Sequence, residues 1–391
     1  MTENNNLKEA PKSFLDYNAS WPLTLVYLGF LIGIYFAQQY SMKFISDWNG
    51  NGYAYYFISI IGGVIGTFLI YNLGKIVFAK ICGYRILYIK LLGLTLDKAD
   101  GKKTKVSYDI MDFFTIGMQF VPEDDDTKKN PTLIFFGGII FEAVILILAF
   151  VFFFVFSMNQ RSLVANFGWT FLFAACYGFL TPLYEMLPFR QDYPTDMYNC
   201  MMTRKEEDRI AFNIFQINKK REMTGEDFIV SSFEEYNSFY KLHTLYYLYL
   251  QDLYESKLTK ASEALDRMKY FSKFYLEDER YLPLAETVYL KFLVDDEPGA
   301  NKVFLSIKKD ERKNVTNPSD LAGFRTAVLV LANIHSDKEA IDSLTKSYEK
   351  KLQSLTLADS YRVKKEKALF ESAYQKARTM KSDLNLPERS N

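Results

Sequence analysis

Lys75, Glu142 and Glu185 each stand within or at the end of a long apolar stretch of this 391-residue chain. An ionisable side chain at the middle of a bilayer costs about 2.5 to 3.5 kcal/mol on insertion scales, so such a group has a partner, a function, or a route by which it snorkels to the interface. Tyr71 and Asn72 precede Lys75 in the same stretch, and Asp192 and Asp196 follow the last apolar run. Imidazole chemistry has little to draw on. The two histidines, His243 and His335, lie far downstream among apolar helical neighbours, where a structural role is expected. Cys82, Cys176 and Cys200 are an odd number without CxxC spacing, so neither a disulfide framework nor a thiolate metal site is signalled.

The elements that must position these groups are read from hydropathy and charge. Basic and acidic residues balance at 47 each, which gives no whole-chain attraction to nucleic acid. The balance conceals an asymmetry: the first half is rich in Phe, Ile, Leu and Tyr, whereas the sequence after about Arg204 is dense in Lys, Glu and Asp. The reading is a tail over 1–20, a membrane domain over 21–200 and a soluble helical domain over 201–391. Four spans are expected, at 21–37, 53–81, 132–158 and 163–187, each near or beyond the roughly 20 residues that cross a bilayer. Arg85, Lys90, Lys98, Lys102, Lys103, Lys105, Lys128 and Lys129 crowd one loop, against Lys43 and Arg161 in the other two. That bias predicts a multi-pass protein of the cell membrane with residues 83–131, the helical domain and both termini in the cytoplasm.

The stretch Phe68 to Arg85 carries a resemblance. With Tyr71-Asn72-Leu73-Gly74-Lys75, then Ala79 and Gly83-Tyr84-Arg85, it resembles the first signature of the site-2 protease family of intramembrane zinc metalloproteases, whose motif is His-Glu-Leu-Gly-His. Two His four residues apart share a helix face and grip one zinc, while the adjacent Glu acts as general base on the bound water. Here Tyr71 and Lys75 stand at the His positions and Asn72 at the Glu position, while Leu73, Gly74, Ala79, Gly83, Tyr84 and Arg85 keep the frame. A protonated Lys repels Zn²⁺, and Asn exchanges no proton near neutral pH.

The resemblance continues downstream and covers about a third of the chain. Ile86 to Asp97 reads as short β segments, where the family carries a small membrane-associated sheet that holds the substrate peptide by strand addition; a plain amphipathic loop is the other reading. Pro131 to Glu142 resembles the family's Ala-Gly-Pro-x-x-Asn helix entry, with Glu142 at the Asn position. Glu185 to Asn199 resembles the second signature, Asn-x-x-Pro followed by Asp-Gly, whose Asp is the third zinc ligand. Asp196 matches that Asp, with Asp192 as the alternative, and Glu185 replaces the Asn. The resemblance thus implies a site-2-protease-like core with its zinc ligands and base removed, so no catalytic or metal-ligating residue and no cofactor is assigned. It also implies a candidate buried polar network of Lys75, Glu142, Glu185 and Asp196, in which a Lys75–Asp196 pair replaces the metal's charge.

From Glu206 the pattern is helical. Ala261 to Leu265, Ala300 to Phe304 and Ala340 to Leu344 recur 39 and 40 residues apart, each after an apolar helix, which resembles tetratricopeptide-like repeats of irregular period. The expected architecture is therefore a polytopic α-helical membrane protein with a small β segment and an all-α, repeat-like cytosolic domain. Its expected work is to bind or scaffold a membrane-anchored peptide or protein in the former substrate groove, and a cytosolic protein through the helical domain. An intramembrane metalloprotease with an unorthodox site, or a component of a peptide transport or immunity system, are the alternatives.

Overall fold

The computed structural model describes residues 21–41, 52–91, 93–97, 105–108, 117–157, 163–188, 194–224, 226–272, 280–318, 320–354 and 361–388. The first 20 residues, Asp192 and the stretch containing Lys98, Lys102 and Lys103 lie outside these. The chain divides into two compact units at Ile210 and Ala211.

The first unit is built on α1 (Trp21–Ser41), α2 (Gly52–Ile81), α3 (Thr132–Phe156), α4 (Leu163–Glu185) and the short α5 (Asp196–Met202). Among the described residues three helices are long and apolar enough to cross a membrane: Phe57–Ile81, Thr132–Phe156 and Val164–Glu185. They are apolar around nearly their whole circumference, as a helix must be when lipid as well as protein surrounds it. The α1 helix coincides with the remaining expected span. It is tied to α4 by the Tyr177 hydroxyl, which donates to Gln38 Oε1 at 2.7 Å, and Ser41 and Tyr55 share a hydroxyl hydrogen bond of 3.1 Å.

Between α2 and α3 the chain forms an antiparallel sheet of order β3-β2-β1-β4, from β1 (Tyr84–Leu91), β2 (Leu94–Asp97), β3 (Lys105–Tyr108) and β4 (Gly117–Pro122). The turn out of α2 requires Gly83 at φ +73°, where a side chain would be strained. Its carbonyl accepts from Lys129 Nζ at 2.8 Å. Tyr84 and Phe120 anchor the sheet by packing together and, through Phe120, on Phe135 in the first turn of α3. Farther out, Leu94 lies opposite Tyr108 and Leu96 opposite Val106. Directly opposed residues share a face, and all four are exposed, so the outer part of one sheet face is apolar and uncovered in this unit.

Among its described residues the regular elements of the second unit are helices: α6 (Glu206–Thr224), α7 (Phe239–Tyr254), α8 (Leu258–Tyr270), α9 (Leu282–Leu293), α10 (Glu297–Ser306), α11 (Lys309–Thr316), α12 (Leu321–Val330), α13 (Lys338–Ser354) and α14 (Tyr361–Met380). Consecutive helices pack in pairs, α7 on α8, α9 on α10 and α12 on α13. The recurrent alanines sit on the second helix of each pair. Ala261 and Ala300 are fully buried and Ala340 is half-buried, so small side chains allow close approach in the first two pairs. A single π turn, Leu331–His335, closes α12.

Candidate functional site

Close contact between α2 and α3 places the motif residues. A Cβ on Gly74 would lie 2.3 Å from the Gly137 carbonyl oxygen, and one on Gly138 would lie 2.5 Å from ring carbons of Tyr71. Only glycine fits at these crossings. The absence of side chains there lets the Tyr71 ring lie directly on the α3 backbone, with its hydroxyl free to reach beyond it.

Asp196 is brought to this face by α5. Its N-cap residue, Thr195, donates its hydroxyl hydrogen to the Leu187 carbonyl at 2.5 Å and accepts from Tyr198 N at 3.4 Å. The Asp196 backbone N–H donates to Glu185 Oε2 at 2.8 Å. Glu185, at the end of α4, thereby fixes where the α5 helix begins.

The Asp196 carboxylate is enclosed by donors from α2. Lys75 Nζ lies 2.8 Å from Oδ1 and 2.6 Å from Oδ2, and the Tyr71 hydroxyl donates to Oδ2. The ammonium also sits 5.0 Å from the centroid of the Tyr71 ring, a cation–π distance. Asp196 and Tyr71 are each 5% exposed, so the pair sits where screening by water is small and attraction between opposite charges is correspondingly large. Positions 71 and 75 share one helix face, as the i, i+4 spacing requires.

The other sequence-selected residues take different partners. Asn72, at the position of the family's general base, is buried and turns its amide into its own helix, donating to the Phe68 carbonyl at 2.6 Å. Glu142 belongs to a separate contact: the Thr67 hydroxyl lies 2.6 Å from its Oε1. Lys75, Glu185 and Asp196 are thus brought together, while Glu142 is one helical turn away along α3 from the Gly138 that meets Tyr71.

This donor set does not fit a zinc ion. A zinc site needs three or four deprotonated donors converging on one point. Here one position is an ammonium, one a phenol and one an amide engaged with its own helix, and both oxygens of the single aspartate are already taken. Among the described residues no group of three His, Cys, Asp or Glu side chains converges as a metal site would require. The arrangement is an ion pair with two supporting hydrogen bonds.

In the second unit, His243 packs against the rings of Phe215 and Phe239 and His335 against Phe304. Tyr247 and Tyr249 are core residues. Sequence reading overlooked a buried charge cluster there. Arg325 on α12 is fully buried and contacts Glu286 Oε2 of α9 at 3.0 Å and Glu366 Oε2 of α14 at 3.5 Å. The Tyr249 and Tyr254 hydroxyls donate to Glu286 and Glu366 at 2.6 Å each. Burial pushes the Glu286 carboxyl up to about 7, against the opposing pull of Arg325 and the Tyr249 hydrogen bond. A signal was available, because Glu286 and Arg325 are isolated charges in otherwise apolar runs. Glu286 also borders a cavity of about 200 Å³ with His243, Tyr246, Asp320 and Arg362.

Fold and site together define a mostly helical protein with three helices of membrane-spanning length and apolarity, a small sheet, and a largely buried Lys–Asp pair between two of its elements. Comparison with protein-family models, curated proteins and solved structures finds no match to the chain.

Proposed function

We propose that this chain is a catalytically inactive, site-2-protease-like membrane protein that binds a membrane-associated peptide or protein. The observation that carries the reading is the Lys75–Asp196 pair, with Tyr71 beside it. These are the residues that the resemblance puts at zinc-ligand positions, and they meet in space although 121 residues separate them. A lysine there supplies as a fixed side-chain charge part of what Zn²⁺ supplies to an active relative, so the helices stay together while the reactive water is lost.

Binding is favoured by the sheet. Among the described residues β3 is an edge strand, and its exposed Val106 and Tyr108 continue an apolar face with Leu94 and Leu96. An extended peptide added to such an edge gains main-chain hydrogen bonds, while alternate side chains find apolar contacts. The paired helices of the second unit are read as tetratricopeptide-like repeats that dock a cytosolic protein. The loop-charge bias puts them and both termini in the cytoplasm.

The test is a purification from native membranes without chelator, with a photocrosslinking residue at Val106. Zinc well below one equivalent, no cleavage of transmembrane peptides and a discrete crosslinked partner are expected. Near-equimolar zinc that depends on Asp196, together with cleavage, would overturn the reading.

A further inference from the structure

Pro182 lies inside α4, four residues after Gly178. Proline has no N–H, so the Gly178 carbonyl lacks the donor that a regular helix would supply. Thr67 of α2 takes that place: its Oγ1 is 2.8 Å from the Gly178 oxygen. The same Oγ1 is 2.6 Å from Glu142 Oε1 of α3. Thr67 and Glu142 are 3% and 2% exposed, so bulk solvent is held away from the contact.

A hydroxyl carries one hydrogen. If it goes to Glu142, the carbonyl orphaned by Pro182 stays unsatisfied in a buried site, and an ionised carboxylate is left with a neutral hydroxyl as its partner; both are costly. If it goes to Gly178, Thr67 presents only lone pairs to Glu142, and two oxygens at 2.6 Å form a hydrogen bond only when the carboxyl brings the hydrogen. The nearby charged and titratable groups on the packed elements are committed elsewhere. Tyr71 and Lys75, one and two turns along α2 from Thr67, both bind Asp196, and Glu185 of α4 accepts from the Asp196 backbone.

We infer that Glu142 is a proton-holding site: its carboxylic acid donates to Thr67, which donates to the Gly178 carbonyl, and this chain joins α2, α3 and α4. The site is distinct from the Lys75–Asp196 pair, and it stands whether or not the protein binds a peptide.

Infrared spectroscopy of the full chain in detergent at pH 7 to 8, in H₂O and D₂O, reads the acid directly through the carbonyl stretch of a protonated carboxyl. The expected result is a deuterium-sensitive band component in the wild type, beside the one Glu286 contributes, that is lost in Glu142→Gln and kept in Glu286→Gln. The Tm of that variant should stay near wild type, because its amide can donate to Thr67 as the acid does. Thr67→Val should shift the band, since the acid loses its acceptor, and this holds as a second reading if Glu142→Gln fails to fold. No such component in the wild type, one unchanged in Glu142→Gln, or one unmoved by Thr67→Val would each overturn the assignment.

Discussion

Lys75 Nζ lies within 2.8 Å of both carboxylate oxygens of Asp196, reaching from the body of one long apolar helix to the first residue of a short one. Neither charge has another opposite charge as a direct ion-pair partner among the described contacts. The stability of each is therefore tied to the other.

Removing one partner strands the other in low dielectric. Lys75→Met or Asp196→Asn alone should each destabilise by about 3 to 5 kcal/mol. The double variant should recover most of the loss, because nothing is left uncompensated. Thermal unfolding of the four proteins in detergent closes the cycle, and strictly additive losses would mean that the pair contributes no coupling.

Helix contact at Gly74 should also be sensitive to substitution, by a smaller amount. Gly74→Ala drives a methyl to 2.3 Å from the Gly137 carbonyl oxygen, so a loss of about 1 to 3 kcal/mol is expected from overpacking. Gly66 on the same helix has open space around its missing Cβ. Gly66→Ala should be neutral or stabilising by up to about 1 kcal/mol, since alanine is the better helix former. Equal Tm changes in the two variants would contradict the packing described for α2 and α3.

The charge bias of the loops predicts sidedness. Single cysteines placed at Trp48 or Gln160 should react with an impermeant reagent in intact cells, whereas those at Lys103 or Lys260 should react only after permeabilisation. Labelling of position 260 from outside would overturn the proposed topology and the proposed cytosolic docking role with it.

Glu286 makes the helical unit sensitive to pH. Its carboxyl titrates at about 7 in the folded chain, raised by burial from the ordinary 4.5, so the folded state holds the proton more tightly than the unfolded one. The stabilisation is complete below about pH 4.5, declines as pH rises toward 7, and is lost above it. The shift corresponds to about 3 kcal/mol. Hydrogen exchange of peptides from α9 and α12 should show protection falling by on the order of a hundredfold across that window. Glu286→Gln should flatten the dependence, and an equally steep profile in the variant would assign it to another group.

Much of the helical framework was legible because apolar runs of spanning length have few alternatives to helix: the runs expected at 53–81, 132–158 and 163–187 appear as Gly52–Ile81, Thr132–Phe156 and Leu163–Glu185. The sequence also marked Lys75, Glu142 and Glu185 as groups in need of partners, since an ionisable side chain in a long apolar run is costly wherever it cannot reach the interface. Which partner each found was decided by tertiary structure. Asp196 reaches Lys75 because Thr195 and Glu185 fix the start of α5, and Gly74, Gly137 and Gly138 let the helices close. Glu142 turned instead to Thr67, a residue with no charge to betray it, whose hydroxyl answers a carbonyl left open by Pro182. Arg325, Glu286 and Glu366 came together from three helices in the same way. Hydropathy and residue type act locally and can be read along the chain, whereas the direction of a hydrogen bond between residues a hundred positions apart exists only once the backbone has brought them within 3 Å.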